Sequence, residues 1–257
     1  VDVRKKHINL VNTLTRREEA YHRYVIQKQI GEEGLKTLEE TLKARDSDLE
    51  QYLVKDWYTR TMFRDHFFHP DTTIWGVARA NYGEQGDFTI MPFSVKSLDE
   101  KTCSVELFRD GHVWIGPEWH PVKLVKKITV EGENTLGVNY IIKNLGSAAD
   151  FWFGTDLAYY VWPTKENGCI VNGVKNEITS FGEDNNVREF MIVDKNRVNI
   201  SVYSSKPAML YRFPIYTVSR SEGGLEKTYQ HYTVIPSWKM RLEAGEEWSV
   251  SITQKIY

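Results

Sequence analysis

Apolar positions recur with a helical period near one end of the chain and with a strand period over the rest. Leu35, Leu38, Leu42, Leu49 and Leu53 follow one another at steps of 3, 4, 7 and 4, with Glu39, Glu40, Lys43 and Arg45 between them. That spacing predicts an amphipathic helix with one buried stripe. Gly31 and Gly34 divide it from an earlier predicted helix over Thr15–Gln29, and Asp46-Ser47-Asp48 reads as an N-cap or break before a helix over Leu49–Tyr58. After His69-Pro70-Asp71 the period falls to two. Lys127–Val130, Arg197–Tyr203 and Trp248–Thr253 alternate apolar with polar, as half-buried antiparallel strands do. Turns are predicted at Asp110-Gly111, at Glu131-Gly132-Glu133-Asn134 and at Ala244-Gly245. Many strands joined by tight turns, with no second helical stretch, imply a mainly β protein: a large antiparallel two-sheet sandwich preceded by a short α-helical segment. The predicted division is a helical lead and junction over residues 1–69, packed on a sandwich over residues 70–257.

Composition narrows the classes of function. The 257 residues suit one large domain or two small ones, and 41% hydrophobic with 26% charged residues is ordinary globular usage. Lys+Arg 33 against Asp+Glu 35 gives a net charge of −2, which argues against a nucleic-acid or anionic-membrane binder, since those partners demand clustered cations. No apolar run is long enough to span a bilayer. Cys103 and Cys169 make neither a disulfide framework nor a cysteine zinc site; the expectation is two buried thiols in a reducing compartment, hence a cytoplasmic protein. The chain opens on Val1 rather than Met, from which a piece of a longer protein is expected.

Candidate chemistry is sparse. Asp65, Glu106, Glu118 and Asp156 lie among apolar or aromatic neighbours where a carboxyl pKa can shift, but Arg or backbone amides satisfy most such groups. His66 and His69, with His112 and His120, fall short of the ligand set and spacing of a zinc site, so no metal is expected. No nucleophile elbow, phosphate-cradling loop or dinucleotide fingerprint occurs, and no cofactor is expected. The aromatics say more. Trp114 and Trp119 in Val-Trp-Ile-Gly-Pro-Glu-Trp-His, Phe151-Trp152-Phe153 and Tyr159-Tyr160-Val161-Trp162 place large rings on predicted strands. Such rings either pack a sandwich core or lie against the apolar face of a pyranose, with nearby acids bonding its hydroxyls. The substrate-binding candidates are Trp114, Trp119, Glu118, Asp156 and Trp162.

Two longer segments carry a family resemblance. Tyr52-Leu-Val-Lys-Asp-Trp-Tyr-Thr-Arg-Thr-Met-Phe-Arg-Asp-His-Phe-Phe68 resembles the helix-to-sandwich junction in the C-terminal domain of glycoside hydrolase family 57 enzymes, the 4-α-glucanotransferases and α-amylases. Tyr211-Arg-Phe-Pro-Ile-Tyr-Thr-Val-Ser-Arg-Ser-Glu-Gly-Gly224, followed by Tyr229-Gln230, resembles a second series of the same family, and the similarity runs from about Glu19 to the C-terminus. The resemblance implies a galactose-mutarotase-like sandwich and marks Arg60, Asp65 and His66 as a junction motif, whose structural reading is an ion-paired cap between helix and sheet. It also implies that the catalytic Glu and Asp lie in a barrel that this chain lacks, because no alternating βαβ pattern occurs. Phe153-Gly-Thr-Asp-Leu157 departs from mutarotase-like sandwiches, which pair an acid with Asn on that strand; here Asp156 stands without it.

The function expected from the resemblance is a non-catalytic C-terminal part of a retaining 4-α-glucanotransferase or α-amylase. It would support the catalytic barrel of the same polypeptide and help to bind starch or a maltooligosaccharide. The alternatives are a free-standing carbohydrate-binding module and a mutarotase-like epimerase, with His66 or His120 as acid and Asp156 or Glu118 as base. No nucleic-acid or membrane partner is expected, and a homo-oligomer is left open.

Overall fold

The structure, a computed structural model, describes residues 4–5, 8–23, 25, 48–195, 197–222 and 224–257. In chain order its elements begin with β1 (Arg4–Lys5), β2 (Ile8–Asn9), β3 (Arg64–Phe67) and the helix α1 (Ile74–Ala78). Then come β4 (Ser94–Asp99), β5 (Ser104–Ile115), β6 (Glu118–Glu131), β7 (Thr135–Asn144), β8 (Ala149–Tyr159), β9 (Gly168–Val171) and β10 (Val174–Asn176). The last four are β11 (Gly182–Asp194), β12 (Val198–Ser221), β13 (Gly224–Leu242) and β14 (Glu247–Ile256).

Alternation along β7 explains the first layer. Leu136, Val138, Tyr140 and Ile142 are buried while the residues between them are half-exposed, so one face meets a core and the other meets water. The layer runs β10-β9-β11-β12-β14-β7-β6-β5-β4, antiparallel throughout. Strand β12 is 24 residues long and serves both layers. Ile200–Ser204 pair with β14, whereas Met209–Ser221 pair with β13, which pairs with β8, which pairs with β3. Between the layers Val122, Leu124, Tyr140 and Ile142 meet Phe153, Leu157, Tyr232 and Val234, and each such burial contributes about 1.5–3 kcal/mol.

The second layer is buried on its outer face as well. Phe68, Ile74, Val77 and Ala78 pack on Trp152, Tyr211, Phe213, Ile215 and Ile235, so β8 reads as a nearly continuous buried run rather than an alternating one. Thr73 caps α1, its Oγ1 accepting the Gly76 N–H at 3.1 Å.

Several expectations change. The turns at Glu131–Asn134 and Ala244-Gly245 join β6 to β7 and β13 to β14. Asp110-Gly111, however, lies inside β5, and the hairpin turns instead at Gly116-Pro117. Gly111 stands there because a Cβ would collide with Asp87 Oδ1 and the Phe88 ring. A helix over Leu49–Tyr58 is replaced by a single 3-10 turn, Leu49–Tyr52, with Asp48 at φ 59° before it. Of Thr15–Gln29, residues 15–19 have no regular secondary structure, a 3-10 turn follows at Ala20–His22, the described residues Arg23 and Val25 are helical, and the rest lies outside the described residues. Leu35, Leu38 and Leu42 lie outside the described residues. Residues 64–67 of the predicted lead form β3, a strand of the sandwich itself. The two thiols are free but unlike: Cys169 is buried and its pKa is pushed up to about 12 by desolvation, whereas Cys103 is exposed, contrary to expectation.

Candidate functional site

The junction motif is divided by the strand that carries it. Because β3 alternates, Asp65 and Phe67 point between the layers while Arg64, His66 and Phe68 point under the junction. Asp65 pairs with Lys126 of β6, both buried. The Lys126 ammonium also donates to Phe63 O at 2.9 Å and lies 4.8 Å from the Phe93 ring centroid. An ion pair of this kind inside a core holds only while its remaining hydrogen-bonding groups are met.

His66 sits between two carboxylates. Its Nδ1 is 2.8 Å from Glu84 Oε2, and its Nε2 stands 3.4 Å from Asp156 Oδ1. The ring is stacked on Phe68 at 5.3 Å, and the Tyr58 hydroxyl donates to Asp156 Oδ2 at 3.2 Å. Burial alone would lower the imidazole pKa, but Asp156 and Glu84 outweigh it and push it up to about 9, so His66 is cationic at neutral pH. His231, on β13, shows the opposite outcome: burial, then Arg60 and Arg16, push it down to about 3. Its neutral Nδ1 accepts from Asn12 Nδ2 at 3.3 Å.

Arg60 and Arg16 complete the sealed region. Asp56 receives Arg16 Nη2 at 2.7 Å and Arg60 Nε at 3.0 Å. Each guanidinium also reaches the C-terminal end of α1: Arg60 Nη2 donates to Val77 O at 2.7 Å and Arg16 Nη2 to Ala78 O at 2.7 Å. Free carbonyls at a helix C-terminus attract cations, so this clamp fixes α1 against the sheet. His66 and Asp156 are each 0% exposed. The arrangement orders a junction, and solvent reaches neither group.

Trp114 and Trp119 occupy the opposite kind of place. They face each other across the β5–β6 hairpin near its turn, with ring centroids 4.4 Å apart and an interplanar angle of 66°. They are 38% and 58% exposed. His112 lies 5.0 Å from Trp119, and Asp110 and Lys123, 3.4 Å apart, share the same face two residues further along. Alternation puts Glu118 on the other face, where its Oε2 is 3.7 Å from His120 Nε2. Trp162 is exposed in the segment after β8, and its ring neighbour is Tyr160 at 6.0 Å. Of the five sugar-binding candidates, the fold therefore brings together Trp114 and Trp119, sets Glu118 across the strand from them, places Trp162 elsewhere and seals Asp156. Arg16, Asp56, Tyr58, Glu84 and His231 are residues of the cluster that sequence reasoning passed over. Asp56 and Tyr58 lie within the quoted motif, with Asp56 four residues before Arg60, whereas Glu84 and His231 reach the cluster only through the fold.

The fold and its sealed cluster define a class: a two-layer antiparallel sandwich with an ion-paired junction strapped across one face. Residues 1–252 match the family described as alpha-amylase/4-alpha-glucanotransferase, C-terminal, and the chain belongs to that family. It is 25% identical over 246 residues to the 4-alpha-glucanotransferase of Thermococcus litoralis, a match covering 93% of this chain and 34% of the relative. It is 26% identical over 258 residues to alpha-amylase 1 of Dictyoglomus thermophilum, covering 98% of this chain and 36% of the relative. The crystal structure of the Thermococcus litoralis 4-alpha-glucanotransferase superposes with a TM-score of 0.71 at 23% identity, over 96% of this chain and 32% of that one, a likeness of fold. The chain thus spans about a third of the length of the curated relatives it matches. Among the described residues no helix is long and apolar enough to cross a membrane.

Proposed function

We propose that this chain is the non-catalytic C-terminal sandwich of a cytoplasmic, retaining α-glucan-processing enzyme of glycoside hydrolase family 57, a 4-α-glucanotransferase or α-amylase. In this reading the lead and the sandwich, which takes β3 from within residues 1–69, together support the catalytic barrel of the same polypeptide. The β5–β6 hairpin holds a starch chain or maltooligosaccharide. The observation that carries the reading is the Trp114–Trp119 pair, exposed on a hairpin whose strands are otherwise anchored in the core, in a chain of this family. An indole face suits the CH face of glucose, and His112, Asp110 and Lys123 on the same face can bond hydroxyls. Free thiols at Cys103 and Cys169 accord with a reducing compartment. The burial of His66 and Asp156 disfavours the epimerase alternative.

Affinity electrophoresis in amylose-containing gels tests the binding role. The expected result is retardation of the chain that Trp119→Ala abolishes; equal mobility with and without amylose would refute it. In parallel, the chain alone is expected to leave maltoheptaose unchanged, and robust turnover by purified protein would refute the non-catalytic assignment.

A further inference from the structure

A ladder of aromatic rings leads from the second-layer core to the surface at α1. Phe213, fully buried, lies 5.9 Å from Phe181 at an interplanar angle of 21°. Phe181 in turn lies 3.9 Å from Trp75 at 22°. The outermost ring, Trp75, is 53% exposed. Stacking on Phe181 covers one face of its indole, and about half of the residue stays exposed. Helix α1 is fixed on the sheet. Ile74, Val77 and Ala78 are packed in the core, Tyr211 holds Thr72 O at 3.1 Å, and the Arg60 and Arg16 guanidiniums clamp the far end of the helix. Asp71, Thr73 and Thr179, close in sequence to the two outer rings, are exposed and polar.

A flat apolar surface carried on a fixed helix, with exposed polar residues close in sequence, loses little conformational entropy when a ligand stacks on it. The ligand chemistry that matches is a ring with one CH-rich face and polar edges. We propose that Trp75 is a second glucan-stacking site, which takes one glucose ring of an α-1,4-linked chain. This rests on the reading that the chain binds α-glucan, and it connects the buried junction to binding, since Arg60, Arg16 and Asp56 position the helix that displays Trp75. They act as positioning residues and do not touch the sugar.

Calorimetric titration of the full chain with maltoheptaose tests the proposal, using Trp75→Ala, Trp75→Phe and Trp119→Ala. Removing one stacked ring should weaken binding about three- to tenfold, with Trp75→Phe recovering most of it and with both variants fully folded at the temperature of the titration. Wild-type affinity in Trp75→Ala, with loss confined to Trp119→Ala, would overturn this site and leave the hairpin reading standing. Weakened binding in Trp75→Ala with Trp119→Ala unaffected would support this site and refute the hairpin. No binding by the unsubstituted chain would overturn both.

Discussion

The junction and the hairpin tip both gather aromatic and charged side chains, yet they have opposite relations to water. Under the junction, Asp56, Arg60, His66, Glu84 and Asp156 find their partners in one another and in backbone carbonyls, and solvent reaches almost none of them. At the hairpin, Trp114 and Trp119 touch mainly each other and His112 and keep much of their surface exposed. A charge inside protein must be met by protein, so the sealed cluster is committed to structure. An exposed ring on an anchored strand is free to meet a ligand. The residue types alone do not separate these cases; burial does.

The largest break in this contrast comes at Asp56. Asp56→Asn leaves Arg16 and Arg60 buried without their counter-charge and should cost about 3–5 kcal/mol in urea unfolding, the range for removing one partner of a buried pair. A change below about 1 kcal/mol, the size of an exposed pair, would mean that water enters the cluster.

Next in size is a pH effect. The folded protein holds the His66 proton up to about pH 9, above the ordinary 6.5. The stabilisation from that proton is therefore complete below pH 6.5 and disappears as pH rises through 9, a loss of about 3 kcal/mol. His66→Gln should remove this alkaline slope, measured as the difference between the two stability profiles. Parallel profiles across the neutral-to-alkaline range would contradict a cationic His66.

A smaller effect is expected at Gly111. Gly111→Ala forces a Cβ against Asp87 and Phe88 and should destabilise by about 1–3 kcal/mol, as overpacking does. It should leave amylose retardation intact in the folded protein, since Gly111 faces the core side of β5 and the tryptophans face solvent. Retardation lost without unfolding would show that strain at Gly111 reaches the hairpin tip.

Much of the strand layer is legible in the sequence, because alternation such as Trp248–Thr253 reports a half-buried face directly. The sealed layer is harder to read. Ala149–Tyr159 is covered on both sides, so its pattern says buried without saying what covers it. Asp156 then reads as a binding acid because its partners, Tyr58 and His66, arrive from another segment. Asp110-Gly111 misleads for a related reason: the glycine answers a tertiary approach by Asp87 and Phe88 rather than a turn. The hairpin tryptophans are legible as candidates, but their pairing across β5 and β6 depends on where the turn falls, at Gly116-Pro117.

The central claim is that binding and stability reside in different places, and Trp119→Ala tests it most directly. Its melting temperature and its mobility in amylose gels should be measured on the same preparation. The account predicts a stability within about 1 kcal/mol of the unsubstituted chain, the size of one cross-strand aromatic pair, together with loss of retardation. Retardation that persists in a fully folded Trp119→Ala protein would contradict it.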